Sequence, residues 1–367
     1  MKVGVLGAGQ LGRMLALAGV PLGLEFKFLD HAADACAGEI APLTVGEFDS
    51  ATVDAFAADC DVLTFDWENV PVAALTGSAS AKLRPTRVAL ETGQDRFVEK
   101  EFFRALDIAT PGYRAVGSLV ELERAAAELG LPAVLKTRRL GYDGKGQRVV
   151  HSALELGSAW EALAPSAPPQ GGEGVPLILE AFVPFEREVS LLAVRATDGE
   201  FRAWPLTENV HRGGILHSSV APYADPALQT TAEAQLRRVM EKLDYVGVMA
   251  LEYFVHRGGL LANEFAPRVH NSGHWTIDGS TTSQFENHLR AICGMPLGDT
   301  AMRGHAAMLN LIGRVPPREQ LLVVRDARVH DYSKAPRPGR KVGHVTVVGA
   351  DRADVLARLA ALERQAA

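Results

Sequence analysis

Cysteine is scarce. Cys36, Cys60 and Cys293 are the only three in 367 residues. They lie far apart and in no metal-ligand spacing, which excludes a disulfide framework and a cysteine-ligated zinc site. They read as core thiols of a reducing compartment. No apolar run approaches the roughly 20 residues of a membrane span, so no membrane partner is expected. Positive charge is not in excess either. The formal net charge of −6 argues against a dedicated nucleic-acid or anionic-membrane surface. The start of the chain, with Lys2 and the apolar run to Gly19, imitates a secretory leader, but Arg13 interrupts the run. Internal repeats, low-complexity tracts and a Walker GK[ST] motif are all missing. What remains is a soluble globular composition, 47% hydrophobic and 22% charged, expected in the cytoplasm. The length suits two or three domains with ample core.

The N-terminal pattern is strand, glycine turn, helix, strand, acid. Lys2–Leu6 is a short buried strand, Gly7-Ala8-Gly9-Gln10-Leu11-Gly12 is a GxGxxG turn, and Gln10–Leu22 is a helix with Leu11, Met14, Leu15 and Ala18 on its apolar face. A second strand, Glu25–Leu29, ends in Asp30. This spacing fits a dinucleotide fingerprint, so a nicotinamide-dependent dehydrogenase is one hypothesis. The same glycines also serve any tight strand-to-helix turn. Val62–Phe65 is a further strand, with Asp66, Glu68 and Asn69 just beyond its carboxyl end, where open α/β sheets bind ligands. Lys82–Arg84 reads as a last short strand.

A second informative stretch runs from Leu251 to Trp275. Two apolar runs flank the turn His256-Arg257-Gly258-Gly259, predicting an antiparallel hairpin that brings Glu252 close to Asn263 and Glu264. Two carboxylates and an amide at the end of an apolar hairpin need a compensating charge unless they are simply solvated. A hard cation such as Mg²⁺, sharing oxygen ligands with a phosphate, supplies it. Arg268, His270, Asn271 and His274 follow at once and suit a small anion.

Between these stretches, Lys136 ends the strand Ala133–Lys136, and Gly141-Tyr142-Asp143-Gly144-Lys145-Gly146-Gln147 leads into the strand Arg148–Val150. Three glycines between two strands describe a hairpin lid. Its amides approach phosphate oxygens and Lys145 neutralises them. Asp95–Leu106 is predicted helical, with Arg96 and Lys100 four apart on one face. Glu180 sits on the strand Leu177–Phe182, whose groups at Glu180, Ala181 and Val183 could pair with an adenine if they lie on a sheet edge. Glu188 opens the strand Val189–Ala196, and His211 lies in a connection beyond Phe201–Leu206. Near the end, Arg337-Pro338-Gly339-Arg340-Lys341 is a rigid basic turn, either a phosphate clamp or a solvated charge run. A dehydrogenase needs neither a metal pair nor a lid, whereas an ATP-consuming ligase needs both.

At this point the chain resembles the ATP-grasp superfamily, and within it the bacterial 5-(carboxyamino)imidazole ribonucleotide synthetases. The resemblance runs through GVLGAGQLGRML, Gln94-Asp95-Arg96, GYDGKGQ, Phe185–Leu191, YVGVMALE, NEFAPRVHNSGHWT and RPGRKVGH. Asp66 departs from it, the family more often having Glu there. The resemblance implies an α/β fold of three parts. These are an N-terminal Rossmann-like parallel-sheet (pre-ATP-grasp) domain over 1–94, a two-lobed α+β ATP-grasp domain over 95–295 with its lid at about 110–185, and a small C-terminal domain over 296–367. It implies ATP-dependent carboxylation of 5-aminoimidazole ribonucleotide with bicarbonate, through carboxyphosphate, in purine biosynthesis. A formate-dependent glycinamide ribonucleotide transformylase is the nearer rival. Carried over by motif, ATP would meet Arg96, Lys136, Gly141–Gln147, Glu180, Ala181, Phe182, Val183, Glu188, His211, Asn263 and Glu264. Mg²⁺ (or Mn²⁺) would meet Glu252 and Glu264. Arg268, with His270 and Asn271, would hold bicarbonate, and Lys145 would serve catalysis from the lid. Arg337, Arg340 and Lys341 would take the substrate's 5′-phosphate, and Glu68, Tyr142 and Asp143 its ring and ribose. A homodimer is expected from the family alone.

Overall fold

The computed structural model describes residues 1–141, 144–164 and 177–366. Strands β1 (Lys2–Leu6), β2 (Glu25–Asp30), β3 (Leu43–Val45) and β4 (Val62–Phe65) form an all-parallel sheet in the order β3-β2-β1-β4. Residues Val3–Leu6 and all of β4 are buried, as expected of parallel strands covered on both faces. The first helix is Gln10–Gly19, shorter than its apolar pattern. Val20–Leu22 tightens into a 3₁₀ turn at Pro21, which has no N–H to continue the α ladder, and Gly23 leaves at φ 73°. Residues 82–84 are not a strand. Gly77–Lys82 is helical, and only Leu83 bridges Leu63 before Pro85 removes the next donor.

The next four strands, β5 (Tyr113–Val116), β6 (Ala133–Thr137), β7 (Gln147–Val150) and β8 (Leu177–Ala181), make an antiparallel sheet in the order β5-β8-β6-β7. The helices Leu119–Leu129 and Leu156–Leu163 cover it through Leu122, Leu135, Leu156 and Leu179. β6 and β7 form the expected lid hairpin, with Lys136 opposite Gln147.

A nine-stranded sheet fills the rest. Its members are β9 (Arg187–Arg195), β10 (Phe201–Ala203), β11 (Thr207–Arg212), β12 (Ile215–Ala221), β13 (Gly247–His256), β14 (Gly259–Ala266), β15 (His305–Ile312), β16 (Arg328–Asp331) and β17 (Lys341–Gly349). The order is β14-β13-β9-β11-β12-β15-β17-β16, with β10 paired to β9. The strands after residue 300 thus extend the same sheet through the β12–β15 pairing.

Side-chain alternation along β13 decides which domain each residue meets. Met249, Leu251, Tyr253 and Val255 pack under the helix Pro226–Lys242 with Phe103 and Phe265. Val248 and Ala250 face the opposite way, into a cluster with Phe285 and Leu289 of the helix Gln284–Ile292 and with Leu11 and Met14 of the N-terminal domain. A buried polar bridge crosses the same boundary. His288 Nδ1 accepts from Val248 N at 3.0 Å, so its Nε2–H donates to Thr64 Oγ1 at 2.9 Å. Burial lowers this imidazole to about 3, which keeps it neutral. Glu252 follows Ala250 in the alternation and therefore points toward the N-terminal domain. All three cysteines are free thiols. No helix among the described residues is long and apolar enough to cross a membrane.

Candidate active site

The hairpin β13–β14 places Glu252 directly opposite Glu264. Tyr253 pairs with Ala262, so Asn263 is an extra residue and the ladder bulges there. A bulge unpairs main-chain groups and re-aims side chains. Here the helix Arg96–Ala105 supplies the partners. Glu99 Oε1 accepts Phe265 N at 2.7 Å. Lys100 Nζ donates to Asn263 O and, at 3.5 Å, to Ala262 O. Asn263 Oδ1 is left buried with no hydrogen-bond partner among the described residues. Burial, reinforced by Glu264 across the ladder, raises Glu252 to about 7. Glu264 experiences the same upward push from burial, but the Arg96 guanidinium bonded to it holds it at about 2. Glu264 is paired with an arginine, whereas Glu252 stays near 7 despite the His211 and Lys341 charges that pull it down. Among the described residues no group of three or more His, Cys, Asp or Glu is placed to hold a metal. A cation at this pair therefore needs oxygen ligands from a bound molecule.

Positive charge collects on one side of the pair. Arg96 also donates from Nη2 to Gly141 O at 3.1 Å, tying the lid's base to the carboxylates. Lys136 Nζ bonds Glu180 Oε2 at 2.9 Å, with Lys100 Nζ 3.8 Å from the same oxygen. Glu180 is held near 2 because the two ammonium groups outweigh its burial, and its Oε1 has no partner among the described residues. The expected sheet edge at Glu180 does not exist. β8 lies inside its sheet, Glu180 pairing with Tyr113 on one side and Val134 on the other. Ala181 N is taken by Gly112 O at 2.8 Å and Phe182 N by Pro132 O at 3.3 Å. Only the segment from Val183 onward leaves the sheet, because the chain must there cross to β9. His211 is not in a connection but on β11, at the bulge between Val210 and His211. Its Nδ1 lies 2.9 Å from Glu188 Oε2. Burial lowers this imidazole, but Glu188 and Glu252 together bring it above its ordinary value.

The lid reaches across to the large sheet. At Gly144, with φ 73°, a Cβ would stand 3.0 Å from Gly213 O on the β11–β12 turn. Glycine is the residue that allows this approach. Lys145 and Gln147 are exposed, and Gly141 and Gly146 half-buried. Tyr142 and Asp143 lie outside the described residues. At the lid's base, Asp95 caps the helix Arg96–Ala105 through Phe97 N and binds Arg138 at 2.9 and 2.8 Å and Arg139 at 3.3 Å.

The anion loop closes the other side. Arg268 Nε donates to Glu68 Oε2 at 2.5 Å and Nη1 to Val269 O at 3.1 Å, joining the loop to the N-terminal domain. His270 Nδ1 accepts from Ser272 N at 3.3 Å, so its proton is on Nε2, 3.2 Å from Glu252 Oε1. Burial and the neighbouring Arg268 and Lys341 charges keep this ring neutral. Asn271 is turned away. Its amide exchanges hydrogen bonds of 3.0 and 2.8 Å with Asn310. His274 is fully buried behind the loop.

The glycine turn is already filled. Asp66 Oδ2 accepts Gly9 N at 2.5 Å and Gly12 N at 3.4 Å, occupying the helix N-terminus where a dinucleotide phosphate would sit. A Cβ at Gly7 would collide with Asp66 Oδ1. Asp30 turns to Ala8 N at 2.7 Å. Burial raises Asp66 to about 7. The dehydrogenase hypothesis fails on this contact. In the basic turn, Arg337 N and Arg340 O bond Gly313 at 3.0 and 2.7 Å. Arg337 is exposed while Arg340 and Lys341 are half-buried, and the Lys341 charge reaches Glu252 and His270. Lys334, which sequence reading overlooked, donates to Gln10 Oε1 at 2.7 Å beside the glycine turn. Glu99 was also missed, and Lys100, noted only for sharing a helix face with Arg96, was given no role. The helix carries five charges in ten residues, so nothing local marks these two as the ones that are buried.

Three family models match consecutive parts of the chain. They are a ribonucleotide synthetase preATP-grasp domain at residues 1–94, an ATP-grasp domain at 101–285, and a phosphoribosylaminoimidazole carboxylase C-terminal domain at 306–358. The chain is 51% identical over 365 residues to N5-carboxyaminoimidazole ribonucleotide synthase of Pseudomonas aeruginosa, covering 99% of each. It superposes with TM-score 0.91 and 52% identity on N5-carboxyaminoimidazole ribonucleotide synthetase from Thermus thermophilus, covering 99% of this chain and 98% of that one. N5-carboxyaminoimidazole synthase from Aspergillus clavatus, in complex with ADP and 5-aminoimidazole ribonucleotide, matches with TM-score 0.90 and 31% identity over 100% of this chain and 98% of that one.

Proposed function

This chain belongs to the N5-carboxyaminoimidazole ribonucleotide synthase family, and from that premise we propose how its residues divide the work. It is an ATP-dependent carbon–nitrogen ligase that carboxylates 5-aminoimidazole ribonucleotide in purine biosynthesis. The observation that carries the division of roles is the opposed pair Glu252 and Glu264 on a bulged hairpin, with cationic groups on one side and an arginine loop on the other.

ATP lies between the lid and the large sheet. Arg96, Lys136, the lid glycines and Lys145 meet its phosphates. The segment Glu180–Val183, with Glu188, His211 and Asn263, holds the remainder. Two buried acceptors without partners among the described residues, Glu180 Oε1 and Asn263 Oδ1, fit a ligand that brings N–H donors and a cation. The Glu252–Glu264 pair fits Mg²⁺, because two carboxylates stand opposite each other and burial and mutual repulsion hold Glu252 at about 7. Bound there, the ion offsets charge that develops on phosphate oxygens.

Bicarbonate sits against Arg268, whose guanidinium is oriented by Glu68 and whose neighbour His270 braces Glu252. ATP phosphorylates bicarbonate to carboxyphosphate, and the exocyclic amine of the ribonucleotide attacks that species or the CO₂ it releases. The protein's part is positioning and charge stabilisation, with no covalent nucleophile. Arg337, Arg340 and Lys341, joined by Lys334, take the 5′-phosphate. Glu68, from the N-terminal domain, is the candidate for the ring and ribose, together with Tyr142 and Asp143, which lie outside the described residues. A lid that excludes water protects intermediates that hydrolyse readily. The enzyme works in the cytoplasm, as a homodimer.

ADP release should require bicarbonate and rise on adding 5-aminoimidazole ribonucleotide, each omitted in turn in a coupled assay. Stimulation by formate and glycinamide ribonucleotide instead would move the chain to the transformylase reaction. A pH effect follows from the pair itself. Glu252, at about 7, must be deprotonated to face a cation. Apparent Mg²⁺ affinity should therefore fall about tenfold per pH unit below this point and level off above it. Titrating Mg²⁺ at fixed ATP between about pH 6 and 8 reads this directly, and a flat dependence would remove Glu252 from the ion's shell.

A further inference from the structure

The anion loop is held from behind by one side chain that the reaction chemistry does not require. Gln284 opens the helix Gln284–Ile292 and is fully buried. Its Oε1 accepts His270 N at 2.8 Å and its Nε2 donates to His270 O at 2.6 Å. One primary amide thus satisfies both main-chain groups of one residue, as a neighbouring strand would. The amide has only one workable orientation, since His270 N is a donor and His270 O an acceptor. Nε2 then also donates to His274 Nδ1 at 3.2 Å, which fixes His274 as the Nε2–H tautomer. Gln284 is itself anchored, its main-chain N donating to Thr276 Oγ1 at 3.0 Å. Gly273 makes room for it, because a Cβ there would stand 3.0 Å from Gln284 Cδ.

We propose that Gln284 is a positioning residue for carboxylation, setting the main chain at His270 so that the imidazole reaches Glu252 while Arg268 is presented to the anion. The proposal rests on the reading of Arg268 and His270 as the bicarbonate side of the site. The geometry is that of an outer partner of a charged site. His270 is bonded both to Gln284, through its main chain, and to Glu252, through its ring. Loss of such a partner lowers site performance by about 10–100-fold without removing a group that touches the reactants.

Two variants test it. Gln284→Met keeps length and volume but removes all three side-chain hydrogen bonds, two to His270 and one to His274. It should raise the KM for bicarbonate about tenfold or more while leaving the KM for ATP within about twofold. Gln284→Glu keeps the acceptor for His270 N, and only its protonated form donates to His270 O. Its activity relative to wild type should therefore recover as pH falls, a rescue that Gln284→Met cannot show. A wild-type bicarbonate KM in Gln284→Met, or equal changes in the bicarbonate and ATP constants, overturns the proposal. If Gln284→Met does not accumulate folded, the Gln284→Glu profile decides, and a profile parallel to wild type also overturns it. Wild-type ATP hydrolysis that ignores bicarbonate would instead overturn the parent reading.

Discussion

Glu264→Gln should lower kcat by about 10³-fold or more, equivalent to the several kcal/mol that a bound divalent ion contributes to charge stabilisation. The fold should survive, because the amide oxygen still accepts from Arg96 and the ladder contact with Glu252 is unchanged. Steady-state kinetics at saturating ATP, paired with a thermal melt, read the two effects separately. Near-normal turnover would take Glu264 out of the metal shell. The substitution carries an internal check. Glu252 is raised by its burial and then by the Glu264 charge, so removing that charge lowers it. The pH at which Mg²⁺ affinity begins to fall should then move downward in whatever residual activity remains.

Lys100→Ala should be the most destabilising single change considered, costing about 3–5 kcal/mol. Lys100 is 1% exposed, and three acceptors depend on it: Asn263 O, Ala262 O and Glu180 Oε2. Removing the ammonium leaves a bulged main chain without its donor and weakens the compensation of a buried carboxylate. Urea midpoints with an unchanged m-value would measure it. Wild-type stability in Lys100→Ala would show that the bulge does not rely on the lysine.

The strand and helix order was legible over most of the chain, because strong periodicity and local stop signals carry it. β1, β4 and the helix Leu119–Leu129 follow their apolar patterns closely. The helix Gln284–Ile292 begins where Ser283 caps it, accepting Glu286 N. The misses share one cause: pairing partners are not written locally. Residues 82–84 look like a strand, but a single bridge to Leu63 is all the N-terminal sheet offers them. Glu180 looks like an edge residue, but β5, distant in sequence, covers that edge. His211 looks like a connection, but β9 and β12 capture the segment around it.

The candidate site divides along the same line. Residue types and spacing alone showed that an acidic hairpin, a glycine lid and a basic turn belong to one phosphate-handling chemistry, because short-range turn rules and the charge demands of buried groups act within a few residues. Tertiary structure alone decided what each group faces. It brought Glu68 onto Arg268 across 200 positions, gave Asp66 the helix N-terminus that a cofactor phosphate would have used, and raised Glu252 to about 7 while Arg96 held Glu264 low. Electrostatic energy depends on distance and burial in space, and neither quantity exists until the domains have packed.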